Sequence, residues 1–268
     1  MKILVALLSG TAFLLGSLIY SQSNASGFAL AGKTRKVVAS KVYVTKEIPV
    51  TDFKKIRLAG SADMTFVQKP GAPRVEVYTS DNIVELLDIH VERGTLCVGF
   101  KNNVSVSFKK LEVRVYAESL TDISLSGSGD IEIKKGLRLS DDLTINLAGS
   151  GDVEVGSITC RHLRVSLSGS GDVKLGKVTS ESTEIGVVGS GDVSLKGATY
   201  EATYSVTGSG DINAKDHKAH HVSAKVIGSG DISCFAEEHL EARVSGTGEI
   251  GYKGNPMVDA SKKGVKRL

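Results

Sequence analysis

The chain has no tryptophan, and aromatic residues make up only 5% of its 268 residues. That excludes a core organised around large rings and leaves Val, Ile and Leu to fill it in thin layers. Neither sign of charge dominates: 33 Lys and Arg stand against 30 Asp and Glu, so no broad basic footprint marks a nucleic-acid binder. Cysteine is scarce and odd in number. With only Cys97, Cys160 and Cys234, a disulfide scaffold is excluded and at least one thiol has no partner within the monomer. Catalytic signatures are missing as well, with no Ser-His-Asp order, phosphate-binding loop or zinc-helix motif.

What the chain does have is a repeat. Gly-Ser-Gly-Asp begins at Gly127, Gly149, Gly169, Gly189, Gly208 and Gly228, and Gly-Thr-Gly-Glu follows at Gly246. The steps are 22, 20, 20, 19, 20 and 18 residues. A period of this size signals stacked units, each too small to fold alone. Between the motifs apolar and polar residues alternate at period two, which reads as half-buried strands and excludes helical repeats.

Counted from the first glycine, four apolar columns emerge, one residue per repeat. Leu125, Leu147, Leu167, Val187, Val206, Val226 and Val244 stand two residues before it. Ile123, Ile145, Val165, Ile185, Tyr204, Ala224 and Ala242 stand four before it. Directly after the acid come Ile131, Val153, Val173, Val193, Ile212, Ile232 and Ile250, and two further on Ile133, Val155, Leu175, Leu195, Ala214, Cys234 and Tyr252. Both glycines share the inward parity, where they leave room between opposite walls or bend the strand; Ser and Asp point outward. The reading is an all-β chain, a parallel β-solenoid of roughly 20 residues per coil, with a short third segment such as Gly176–Thr179 completing each coil.

"IRLAGSADMTF" fits the same register, with Ile56 and Leu58 before Gly60 and Met64 and Phe66 after Asp63, so it is a diverged first coil. The pattern between it and Gly127 is less regular. A turn is expected at Lys69–Pro73, a strand at Arg74–Tyr78, a helical turn within Asn82–Leu87 and a tight turn at Glu92–Thr95. The domains predicted are an export signal at 1–31, an N-terminal β lobe at 32–122, the regular solenoid at 123–257 and a basic flexible tail at 258–268. The signal follows from Lys2, the apolar run Ile3–Tyr20 and small residues at Ser23-x-Ala25 and Ala29-x-Ala31. The lesser alternative is a retained anchor. Pro256 lacks an amide hydrogen, so the ladder is expected to stop there and residues from Ser261 onward to be mobile.

"RLAGSADMTF", the Gly-Ser-Gly-Asp series and the closing "GTGEIGYKGNP" together resemble the bacterial auto-transporter adhesin head, GIN domain family, over about Phe53 to Met257. The resemblance implies a right-handed β-helix exported to the envelope of a Gram-negative bacterium, in the periplasm, on the outer membrane or outside the cell. No membrane-barrel segment follows Pro256, so the chain is not expected to act as an autotransporter by itself.

The acidic column Asp130, Asp152, Asp172, Asp192, Asp211, Asp231 and Glu249 is the conspicuous candidate site. Asp beside Gly is also a common turn residue whose carboxylate accepts backbone amides, and that reading is preferred. The alternative is calcium, with Asp172 and Asp192 as ligands, but the ion wants 6–8 oxygens and no second acidic column lies near. "DHKAHH" at Asp216–His221 offers a weaker transition-metal candidate through His217 and His221, placed where a coil should turn at the surface. No cofactor is expected.

An active site should break the repeat locally, whereas here the acid recurs on every coil, so no enzyme is expected. The function expected is a non-enzymatic adhesin-like or structural binding module. Its surface would be Ser150, Asp152, Ser170, Asp172, Ser190 and Asp192, and its partner a glycan or protein at the cell surface, without nucleic acid or membrane insertion of the mature chain. The alternative is a carbohydrate-active β-helix enzyme, a polysaccharide lyase or hydrolase, which a cleft of mixed acids and Lys or Arg on two or three coils would favour.

Overall fold

Leu143–Gly149 lies in parallel register on both its neighbours, with Ile145 between Ile123 and Val165 and Leu147 between Leu125 and Leu167. This is the repeat seen in space: residues 20 apart in sequence become neighbours about 4.8 Å apart along a stack. A computed structural model describes residues 34–261 and 263–268 as one β-solenoid of about seven turns. The export signal expected at 1–31 lies outside the described residues.

Each coil carries a strand before the motif and one after it. In one coil these are His162–Gly169 and Val173–Thr179. Past Leu175 the in-out alternation slips by one residue, so Val178 returns to the core over Ile158 and begins the third side. All four apolar columns point inward. Only Val244 and Tyr252, in the last motif-bearing coil, are half-buried rather than buried. Burying a Val or Leu side chain is worth about 1.5–3 kcal/mol, so the inward columns supply the main drive for stacking.

The diverged coil stacks as the sequence indicates. Lys55–Gly60 pairs with Asp122–Gly127, placing Ile56 on Ile123 and Gly60 on Gly127, and Met64 meets Ile131. Beneath it Thr95–Phe100 pairs with Lys55–Gly60 and Leu111–Ala117 with Asp63–Gln68. Antiparallel strands Arg74–Ser80 and Tyr43–Ile48 then extend the sheet, so this end of the stack presents a lobe. The expected strand at Arg74, a helical turn at Asp81–Val84 and the Arg93–Gly94 turn (both at positive φ) are all present.

The other end differs from expectation. The ladder does not stop at Pro256: Met257–Ala260 pairs in parallel with His239–Ala242, and Val265–Arg267 with Ile250–Tyr252. Proline removes only its own amide, and Pro256 sits just before the strand, where that loss is tolerated. The amides of Ser261 and Leu268 still donate to Ala242 and Tyr252 carbonyls at 2.9 and 2.8 Å. Lys266 joins the carboxylate of Glu249, so a residue assigned to a flexible tail is tied to the last acid of the column.

Candidate functional site

The motif turns a corner, and the corner explains the residues. Gly169 has φ of +134°, and a Cβ there would stand 2.1 Å from the carbonyl oxygen of Gly149. At Gly171 the corresponding distance to the Gly151 oxygen is 1.9 Å. The glycines are therefore required by the coil next to them in the stack. The bend, one of the two reasons inferred from parity, holds for Gly169 through its positive φ, whereas at Gly171 the close approach of the adjacent coil is the constraint.

At this corner the amides of Ser170 and Gly171 both donate to the Gly149 carbonyl, at 2.9 and 3.2 Å. The next amide, that of Asp172, has no backbone acceptor and is taken by Asp152 Oδ1 at 2.9 Å. The same bond recurs along the stack. It begins with Asp63 accepting from the Asp130 amide and ends with Asp231 accepting from the Glu249 amide, over distances of 2.7–3.3 Å. Seven carboxylates thus complete the backbone ladder across coils. The acid accepts from the neighbouring coil, not within its own turn, and this cross-coil partner is what sequence reasoning missed.

One oxygen of each carboxylate is left over. Lys174 Nζ stands 3.5 Å from the second oxygen of Asp172. Asp63, at the head of the column, has its pKa raised, first by burial and then by the neighbouring charges of Asp130 and Glu112 against the lowering effect of the Asp130 amide. Ser150, Ser170 and Ser190 are exposed beside the ladder, as expected, while Asp152 and Asp172 are half-buried and Asp192 is exposed.

Beyond the ladder runs a second outward column, Glu132, Glu154, Lys174, Ser194 and Asn213, in register from coil to coil. Two shallow hollows lie along it and meet at Glu154. One, of about 440 Å³, includes Gly176, Lys196 and Asp216; the other, of about 310 Å³, includes Asp63 and Asp130. Its residue types differ from coil to coil, so the repeat alone does not single it out.

The "DHKAHH" segment does not form a surface turn. It lies within Ile212–Gly228, where the pairing with Ile232–Gly246 slips in register twice. His217 is fully buried, its Nδ1 hydrogen-bonded to the Tyr204 hydroxyl at 2.8 Å, and so cannot join His221 on one ion. In the stack Ala224 lies in register with Tyr204, and Gly197, which has no side chain, with His217. Burial lowers the His217 pKa to about 4 and raises that of Tyr204 well above its usual value. Cys160 and Cys234 are free buried thiols, raised by burial to about 11 and about 12. Among the described residues no group of three His, Cys, Asp or Glu side chains is placed to hold a metal ion.

Residues 52–256, which carry the first coil, the ladder and the groove, match the family model described as "Putative auto-transporter adhesin, head GIN domain". The chain belongs to this family. A "putative lipid binding protein" from Parabacteroides distasonis shares the head GIN domain fold at 28% identity and a TM-score of 0.83, over 87% of this chain and 100% of that one. A "putative adhesin" from Parabacteroides merdae aligns at 27% identity and 0.81, over 87% and 99%. Another from Bacteroides fragilis aligns at 31% and 0.67, over 87% and 100%. A search of curated proteins finds no match. Among the described residues no helix is long and apolar enough to cross a membrane.

Proposed function

We propose that this head GIN domain protein is an exported, non-enzymatic binding module of the cell envelope that holds an extended glycan along the groove beside the aspartate ladder. The observation that carries this reading is the column Glu132, Glu154, Lys174, Ser194 and Asn213. It offers carboxylate, ammonium, hydroxyl and amide groups at a regular spacing of about 4.8 Å, on a surface already fixed by the ladder. Hydroxyl-rich polymers are recognised by such mixed donors and acceptors set on rigid elements. The adhesin names of related structures agree with a binding role.

The alternative, a carbohydrate-cleaving enzyme, draws support from the same groove, since Glu154, Lys174, Lys196 and Asp216 lie on neighbouring coils. Against it, Lys253 Nζ pairs with Asp216 at 3.0 Å, and Lys174 leans on Asp172, so two of the groove's charges already have partners. A glycan array with the purified protein, followed by analysis of any bound glycan for cleavage, tests both readings. Binding that is lost in Glu154→Ala and Lys174→Ala variants, with the glycan intact, supports a binding module. Cleaved glycan would establish the enzyme, and absence of any glycan bound would remove the proposed ligand.

A further inference from the structure

Two stretches of the chain carry charge of one sign only. Residues 1–46 hold six Lys and Arg, and residues 93–111 hold four, without a single Asp or Glu in either. The fold joins them at the lobe end of the stack. Asn103, at φ of +61°, turns the chain, and Val104–Ser107 then runs parallel to Arg35–Val38 as a two-stranded ribbon outside the main sheet. Val37 and Val106 pair on its half-buried face, while Lys36, Val38, Ser105 and Ser107 share the exposed one. The Ala39 amide donates to the Ser107 carbonyl at 2.8 Å, so the chain towards Lys41 and the chain towards Lys109 and Lys110 leave the ribbon at the same end.

We propose that this end of the protein docks on a bilayer of anionic lipid, as a peripheral contact made by the ribbon and the lysines that follow it. Arg35, Lys36, Lys41, Lys109 and Lys110 are exposed and form no ion pair with the other described residues. Asp81 and Glu85, in the adjoining helical turn, are already engaged by the Ser40 hydroxyl and by Lys46. Each cation near an anionic membrane surface adds about fivefold in affinity, so a cluster of this size holds a protein there. The regular solenoid cannot compete for the contact, because residues 123–257 carry 18 Asp and Glu against 13 Lys and Arg and are repelled by the same surface. Val38 and Val42, 75% and 59% exposed, stand among the cations. Apolar side chains add to binding at a bilayer, whereas a soluble polyanion leaves them unused, which selects lipid over nucleic acid or an acidic polysaccharide. At the far end of the stack Lys266 is tied to Glu249 and Arg243 to Asp259.

Thr34–Leu268 is a compact unit by itself, so the test uses the protein from Gly32 onward, without the apolar run Ile3–Tyr20. It is sedimented with vesicles of phosphatidylglycerol and, separately, of phosphatidylcholine. Binding to phosphatidylglycerol should be roughly tenfold tighter or more, and should fade between about 0.1 M and 1 M salt as the screening length falls from about 10 Å to about 3 Å. A Lys36→Glu, Lys109→Glu, Lys110→Glu variant should lose roughly a hundredfold in affinity. A Val38→Ser, Val42→Ser variant should lose severalfold while keeping the salt dependence. Lys263→Glu, Arg267→Glu protein, altered at the far end, should bind as wild type. Equal binding to both vesicles, an unaffected triple variant, or the same loss in the far-end variant would overturn the assignment. So would undiminished binding by the valine variant together with equally tight capture of dextran sulfate, which would make the surface a site for soluble polyanions. Circular dichroism of each variant guards against misfolding being read as lost affinity.

Discussion

Asp152 accepts the amide hydrogen of Asp172 at 2.9 Å, so a side chain of one coil completes the backbone ladder of the next. Asp152→Ala removes that acceptor and strands a half-buried amide, which costs about 1–3 kcal/mol. Asp152→Asn retains the Oδ1 acceptor and should stay within about 0.5 kcal/mol of wild type. Denaturant unfolding of the two variants checks this. Equal losses would mean that the negative charge, not the acceptor, holds the corner.

The four core columns and the diverged coil at Ile56 were legible because a repeat samples the same environment many times, so parity at one coil is corroborated at the next. The corner chemistry was not. Asp152 and Asp172 are 20 residues apart, and nothing in either motif says that the carboxylate reaches across coils rather than within its own turn. His217 misled for a related reason: the in-out alternation slips after Ala214, as it does after Leu175, and turns His217 inward at the register of Val178 and Gly197, which strict period-two patterning does not capture. Pro256 signals a break, and the strand after it, Met257–Ala260, is only four residues long and carries no Gly-Ser-Gly-Asp motif to announce another coil.

The glycine requirement is testable at one corner. Gly169→Ala places a methyl group 2.1 Å from the Gly149 oxygen and forces alanine to φ of +134°, so the coils must part. A loss of roughly 3 kcal/mol or more in unfolding free energy is expected, against less than about 0.5 kcal/mol for the adjacent exposed Ser170→Ala. A tolerated Gly169→Ala would show that the corner has slack.

Burial of His217 gives a pH dependence with a definite sign. Its folded pKa of about 4 lies below the ordinary value of 6.5, so the unfolded chain binds more protons between the two. Stability therefore rises with pH across that window, is complete above about 6.5 and is lost as pH falls towards about 4, by roughly 3 kcal/mol at most. Asp142 and Asp259, whose pKa values are lowered first by hydrogen bonds from Arg161 and Arg243, lose their contribution only below the usual carboxylate range. His217→Leu should flatten the slope of Tm against pH between 4 and 6.5, whatever its effect at neutral pH. An unchanged slope would assign that window to other groups.

Calcium and magnesium should affect the aspartate ladder alike, as weak screening. Each carboxylate already spends one oxygen on an amide of the next coil, so the column offers one free oxygen per coil. Those oxygens repeat at about 4.8 Å, whereas calcium–oxygen bonds are 2.3–2.6 Å and the ion takes 6–8 oxygens. An ion between coils thus reaches two carboxylate oxygens at best and fills its shell with water, which gives little reason to prefer calcium over magnesium. Neighbouring charges at that spacing repel by roughly 1 kcal/mol in water and roughly 3.5 kcal/mol at an effective dielectric of 20, so any dication should stabilise slightly. Thermal unfolding in millimolar calcium and millimolar magnesium at equal ionic strength compares the two. A calcium-selective rise in Tm that disappears in Asp172→Asn, Asp192→Asn protein would make the ladder a metal site, because those substitutions keep the amide acceptor and remove only the charge.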